Sequence, residues 1–100
     1  MTLDELNAQA LVVPFVEMEP HLKRGAVILV DPTLDLAEVG LMLAQDDRPA
    51  VESLLQQQLL EKASMRDFEA WRRDKRFFRI LIVQPFVLAQ DFVALSPQDN

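Results

Sequence analysis

AVILVDPTLDLAEVGLMLAQDDRPAVESLLQQQLLEK, residues 26 to 62, reads as strand, helix, tight turn, helix, strand. Ala26 to Val30 is wholly apolar with β-branched residues and stops at Asp31-Pro32, the pattern of a short strand buried on both faces. Asp35 and Glu38 stand three apart, a capping-box spacing, and Leu36, Val39, Gly40 and Leu43 then share one helical face. Asp46-Asp47 closes that helix and caps the next, which has Pro49 in its first turn and Val51, Leu54 and Leu55 on its inner side. Leu59 to Ala63 completes the block as a second short strand.

Outward from this block, Thr2 with Glu5 predicts a helix from Leu3, and Leu3, Leu6, Ala10 and Val13 keep helical spacing. Pro14 lacks the amide that would bond backwards, so the segment is one kinked helix or two short ones. Lys23, Arg24 and Gly25 supply a helix end. Ser64 caps a further short helix with Met65, Phe68 and Trp71 at three-residue spacing. Phe77 to Gln84 is the strongest strand signal, with Pro85 as a bulge or edge and Phe86 to Leu95 as its continuation. The order predicts an α+β, winged-helix-like domain over residues 1–95, helix-strand-helix-helix-strand-wing-strand with a small antiparallel sheet. Residues 64 to 76 form the wing, and a loose, flexible tail covers 96–100. Two departures from that pattern keep a generic α+β domain with a small antiparallel sheet as the competitor. The third helix is about a turn short, with Gln58 where glycine is usual, and the wing is long and partly helical.

Composition narrows the function. The net charge of −6 and pI near 4.6 oppose non-specific binding to nucleic acid or anionic membranes. There is no cysteine, which removes disulfides, thiolate metal sites and thiol nucleophiles. MTLDELNAQA has no basic segment of the secretory kind, and no apolar run reaches the ~20 residues of a membrane helix. A cytoplasmic protein with no membrane partner is the expectation. With two glycines in the chain there is neither a phosphate-cradling loop nor a dinucleotide fingerprint, and no cofactor is expected. His21, the single histidine, sits beside Pro20 and two cations and reads as a capping or surface residue. Asp31, Asp35, Glu38, Asp46 and Asp47 would make a metal or acid–base centre only if their turns converged; capping accounts for them separately.

One run, Trp71 to Arg79 (WRRDKRFFR), departs from the acidic background. Arg66 to Arg79 holds six basic residues against three acidic ones, a local +3, so the rest of the chain carries −9 to reach −6. Arg72, Arg73, Lys75, Arg76 and Arg79 with Trp71 form the candidate interaction surface, since basic residues interleaved with aromatics grip phosphates and stack on bases. The third helix argues against duplex DNA: Asp46 and Asp47 stand at the end that would enter the groove, and Glu52 offsets Arg48. These features point to a non-enzymatic adaptor that works by protein contact, its partner an unidentified protein or a second copy in a homodimer. A weak nucleic-acid-binding regulator using residues 72–79 is the alternative, and a buried Trp71 would count against it.

The pieces PHLKRGAVILVDPTLDLAEVG (20–40), AQDDRPAVESLL (44–55) and ILIVQPFVLAQ (80–90) resemble a family of small bacterial proteins known as domain of unknown function 2288. Pro20-His21, Lys23-Arg24, Leu34-Asp35-Leu36, Gln45-Asp46 and Gln84 to Gln90 carry the resemblance, which extends over roughly residues 15 to 92. It implies no activity, cofactor or catalytic residue.

Overall fold

Capping residues set the helix starts. In the computed structural model, which describes residues 2–92, Thr2 Oγ1 accepts from the Glu5 amide while the Glu5 carboxylate accepts from the Thr2 amide, opening α1 (Leu3–Gln9). The short α2 (Glu19–Lys23) follows a 3-10 turn at Phe15–Met18. Asp35 Oδ1 accepts from Ala37 N at 2.9 Å and Glu38 N at 3.3 Å to open α3 (Leu36–Ala44). Asp47 caps α4 (Arg48–Gln56), and Ser64 with Asp67 forms a second capping box at α5 (Met65–Asp74).

Four helix ends share one device. Gly25, Asp46, Gln58 and Lys75 all take positive φ, between 52° and 71°. After each, the next amide reaches back five residues: Ala26 to His21, Asp47 to Met42, Leu59 to Leu54 and Arg76 to Trp71. These bonds satisfy carbonyls that the helix leaves open. Only one of the four uses glycine; Gln58 takes the left-handed conformation itself.

Among the described residues five strands form one sheet in the order β1-β4-β5-β2-β3: β1 (Leu11–Pro14), β2 (Val27–Val30), β3 (Leu60–Lys62), β4 (Phe77–Val83) and β5 (Phe86–Asp91). The pairs β1/β4, β4/β5 and β2/β3 are antiparallel, whereas β5 and β2 run parallel. The α+β class is as expected, but the sheet is mixed and five-stranded rather than small and antiparallel, so the winged-helix order does not extend to the strands. Three local differences produce this. The first helix ends at Gln9, and the β-branched stretch before Pro14 joins the sheet edge. The segment read as a wing is filled by α5, which carries the chain from one edge of the sheet back to β4. Gln84-Pro85, a cis peptide, is a hairpin turn rather than a bulge, and it returns β5 alongside β2. Val87, Leu88 and Ala89 are buried in succession, which requires a place inside the sheet. The continuation towards Leu95, the end of the 1–95 span and the tail at 96–100 lie outside the described residues.

Each face of the sheet has its own core. On one, α1 and α3 bring Leu6, Leu36 and Val39 against Val30, Leu81 and Leu88, and α4 adds the half-buried Val51 and Leu54. Gly40 lets α3 approach closely: a Cβ there would stand 2.6 Å from Leu81 Cδ2. On the other face, α2, α5 and the 3-10 turn pack Met18, Phe68 and Trp71 on Val27, Phe78 and Val87. At the β1 edge, the Phe15 amide donates to Arg76 O at 2.9 Å, and antiparallel alternation then turns the Leu11 and Val13 backbone towards β4. The backbone of Val12 and Pro14 faces outward.

Candidate functional site

The basic run lies on α5, the turn after it and the start of β4. Phe68 and Trp71 occupy the helix face turned to the sheet; Trp71 is 6% exposed, its ring tilted 59° against Phe78 at 4.5 Å. Arg66, Arg72 and Arg73 are left on the outer surface, with Lys75 exposed at the carboxyl end. The Arg72 guanidinium lies 5.3 Å over the Phe68 ring. Cations here complement the helix dipole. Of the three acidic residues nearby, Asp67 accepts from Ser64 N at 2.8 Å and Asp74 lies 3.5 Å from Arg76 Nε, while Glu69 is exposed on the same helix. Arg66, Arg72, Arg73 and Lys75 make no ion pair among the described residues.

The other two cations of the surface expected from the sequence point elsewhere. Arg76 Nη1 donates to Asp91 Oδ2 at the end of β5. Arg79 alternates to the opposite face of β4 from Phe78, and its Nη2 stands 3.5 Å from Asn7 Oδ1. The six named residues therefore divide. Arg72, Arg73 and Lys75 share one helix end, Arg76 is paired, Trp71 is in the core, and Arg79 is across the sheet.

Trp71 and Arg76 also border a cleft of about 230 Å³ at the carboxyl ends of the parallel strands β2 and β5. This is the end of the strands at which ligands bind in open α/β sheets. Leu29, Ala89, Phe78 and Trp71 supply apolar lining; Asp31, Glu61, Asp91 and Arg76 supply charge. Asp31 Oδ2 accepts from the Thr33 hydroxyl and from Thr33 N at 3.0 Å, and these bonds hold its carboxyl below the usual carboxylate value. Gln90, a buried polar residue that sequence reasoning did not single out, fixes the same loop. Its Nε2 donates to Asp31 O at 3.0 Å and Leu34 O at 2.7 Å. The available signal was a polar residue near the end of an otherwise apolar strand.

The remaining candidates stay apart. Asp35 and Asp47 cap separate helices, and Asp46 sits in the α3–α4 turn 3.5 Å from Arg48 Nε. Among the described residues no three His, Asp or Glu side chains gather as a metal ion requires. Arg24 Nη2 donates to His21 Nδ1 at 2.7 Å, a contact between neighbours on one surface. No helix among the described residues is long and apolar enough to cross a membrane.

The family model described as "Protein of unknown function (DUF2288)" matches residues 2–91. The chain belongs to this family. No curated protein matches the sequence. Among solved structures, the NMR solution structure of PA1075 from Pseudomonas aeruginosa is similar, with a TM-score of 0.78 and 31% identity, covering 86% of this chain and 80% of that one. The family match takes in α1 and β1, which lie outside the shorter span carried by the sequence pieces alone.

Proposed function

We propose that this DUF2288 protein is a non-enzymatic interaction module that presents the carboxyl-terminal end of α5 to an acidic partner protein. One observation carries the reading: Arg72, Arg73 and Lys75 are exposed at the carboxyl end of α5 and in no ion pair among the described residues, while Asp74 lies against Arg76 and Glu69 is the one exposed carboxylate a turn away. Three cations against one carboxylate, on a chain of net −6, make a local field that selects an acidic surface and speeds encounter with it. Nucleic acid is a poorer fit, because the buried Trp71 offers no face for base stacking.

The test is fluorescence anisotropy of a labelled Glu/Leu-rich peptide, random duplex DNA and single-stranded RNA at about 50 and 200 mM salt. The comparison protein carries Arg72→Glu, Arg73→Glu and Lys75→Glu. Peptide binding that disappears in the triple variant, with neither nucleic acid bound, is the expected result. Nucleic-acid binding that weakens steeply with salt and vanishes in the variant replaces this reading with the regulatory one. No binding of any probe removes both.

A further inference from the structure

The cleft beside Trp71 has two properties that the contacts around it leave unused. The first is charge. Asp31, Glu61 and Asp91 face one cation, Arg76, which Asp91 already engages. Asp31 and Glu61 are in no ion pair among the described residues. Three carboxylates against one guanidinium leave the cleft with a surplus of about −2, next to a helix end of the opposite sign.

The second property is a missing acceptor. Only 6% of Trp71 is exposed, yet its indole N–H donates to no acceptor among the described residues. Buried tryptophan N–H groups ordinarily find a partner, so this one is open to a water or to the acceptor of a bound group. The open space that Trp71 borders is this cleft. Its volume, about 230 Å³, falls below the ~300 Å³ at which drug-sized pockets begin and suits one side chain.

From the surplus carboxylates and the orphaned donor together, we infer that the cleft receives one arginine or lysine side chain of a partner polypeptide. The cation lies towards Asp31 and Glu61, and a backbone carbonyl of the same segment accepts from the Trp71 indole. An anionic ligand would meet the surplus carboxylates, and a purely apolar one would leave both carboxylates and the indole N–H desolvated and unpaired. The cleft and the basic end of α5 are separate surfaces, so a failed test of one leaves the other untouched.

The chain has a single tryptophan, so the indole N–H gives one resolved NMR signal in the intact protein. The probe is Nα-acetyl-L-arginine N-methylamide, titrated to millimolar concentration, with the isosteric neutral citrulline derivative and n-butylguanidine alongside. The expected result is a saturable shift of the indole signal with the blocked arginine, little with the citrulline derivative, and weaker binding of n-butylguanidine, which has the same charge but lacks the amide carbonyls. Glu61→Gln, a change at an exposed position, weakens binding of the blocked arginine by roughly two- to fivefold. An unmoved indole signal, an equal response to the citrulline derivative, or affinity unchanged in Glu61→Gln overturns the proposal. n-Butylguanidine binding as tightly as the blocked arginine overturns the polypeptide as its source.

Discussion

The two faces of the sheet are built from different materials. Towards α1, α3 and α4 the core is aliphatic, with Leu6, Leu36, Val39, Leu81 and Leu88 in contact and Gly40 bringing helix and strand together. Towards α2 and α5 it is aromatic. Phe15 meets Phe68 at 5.4 Å, and Trp71 meets Phe78 at 4.5 Å, both tilted. Aliphatic side chains close a surface and leave nothing polar behind. Tilted rings pack as well but add an edge, an indole N–H and a face for Arg72. The charged groups of the cleft, Asp31, Glu61, Arg76 and Asp91, stand at the border of the aromatic side.

Truncation separates the two faces most visibly. Phe78→Ala is expected to cost about 3–5 kcal/mol and Leu88→Ala about 2–5 kcal/mol, read from urea unfolding midpoints. If the faces differ as described, Phe78→Ala also frees the Trp71 ring and changes its fluorescence in the native baseline, whereas Leu88→Ala leaves it unchanged. Equal fluorescence changes in both variants would mean that the faces are not separate cores.

A smaller effect probes the closeness of the aliphatic face. Gly40→Val is expected to destabilise by about 1–3 kcal/mol, since its side chain must displace buried Leu81. Combined with Leu81→Ala, the loss should be less than the sum of the two single changes. Strict additivity would place the origin of the effect elsewhere.

The smallest effect concerns the polar border of the aromatic side. The Thr33 hydroxyl, and after it the Thr33 amide, depresses the Asp31 carboxyl below its usual 3.8. A depressed folded-state value contributes stability that is present above 3.8 and lost as pH falls through the folded value. Thr33→Val should move the Asp31 titration upward in carboxyl ¹³C NMR. Any stability gap between wild type and variant at neutral pH should shrink once pH drops below 3.8. A gap that widens in acid would reverse the assigned cause.

Much of the fold was legible because it is encoded locally. Thr2, Asp35, Asp47 and Ser64 cap the helices their spacing announced, and β2, β3 and β4 fall within the segments read as strands. What was not legible depends on distant partners. Leu11–Pro14 becomes a strand only because β4 lies beside it, and the helical spacing of Leu3, Leu6, Ala10 and Val13 concealed that choice. The parallel pairing of β2 with β5 sets Val27 beside Val87, and the Gln90 bond to Asp31 O likewise spans 59 residues. For the candidate surface, composition found the cations, but position along β4 decided that Arg79 faces away from α5. The cleft left no trace in any single stretch, because its charges come from the ends of β2 and β5, from β3 and from the turn after α5.

Pro14 gives the sheet a boundary. A neighbouring strand laid along β1 would find the outward amide of Val12 and then, two residues on, a ring nitrogen with no hydrogen to offer. Leu11 and Val12 are 59% and 48% exposed, so this edge would otherwise be an adhesive template at high concentration. The outermost strand thus works as a stop codon for β-sheet growth: the ladder can be read up to it but not copied beyond it.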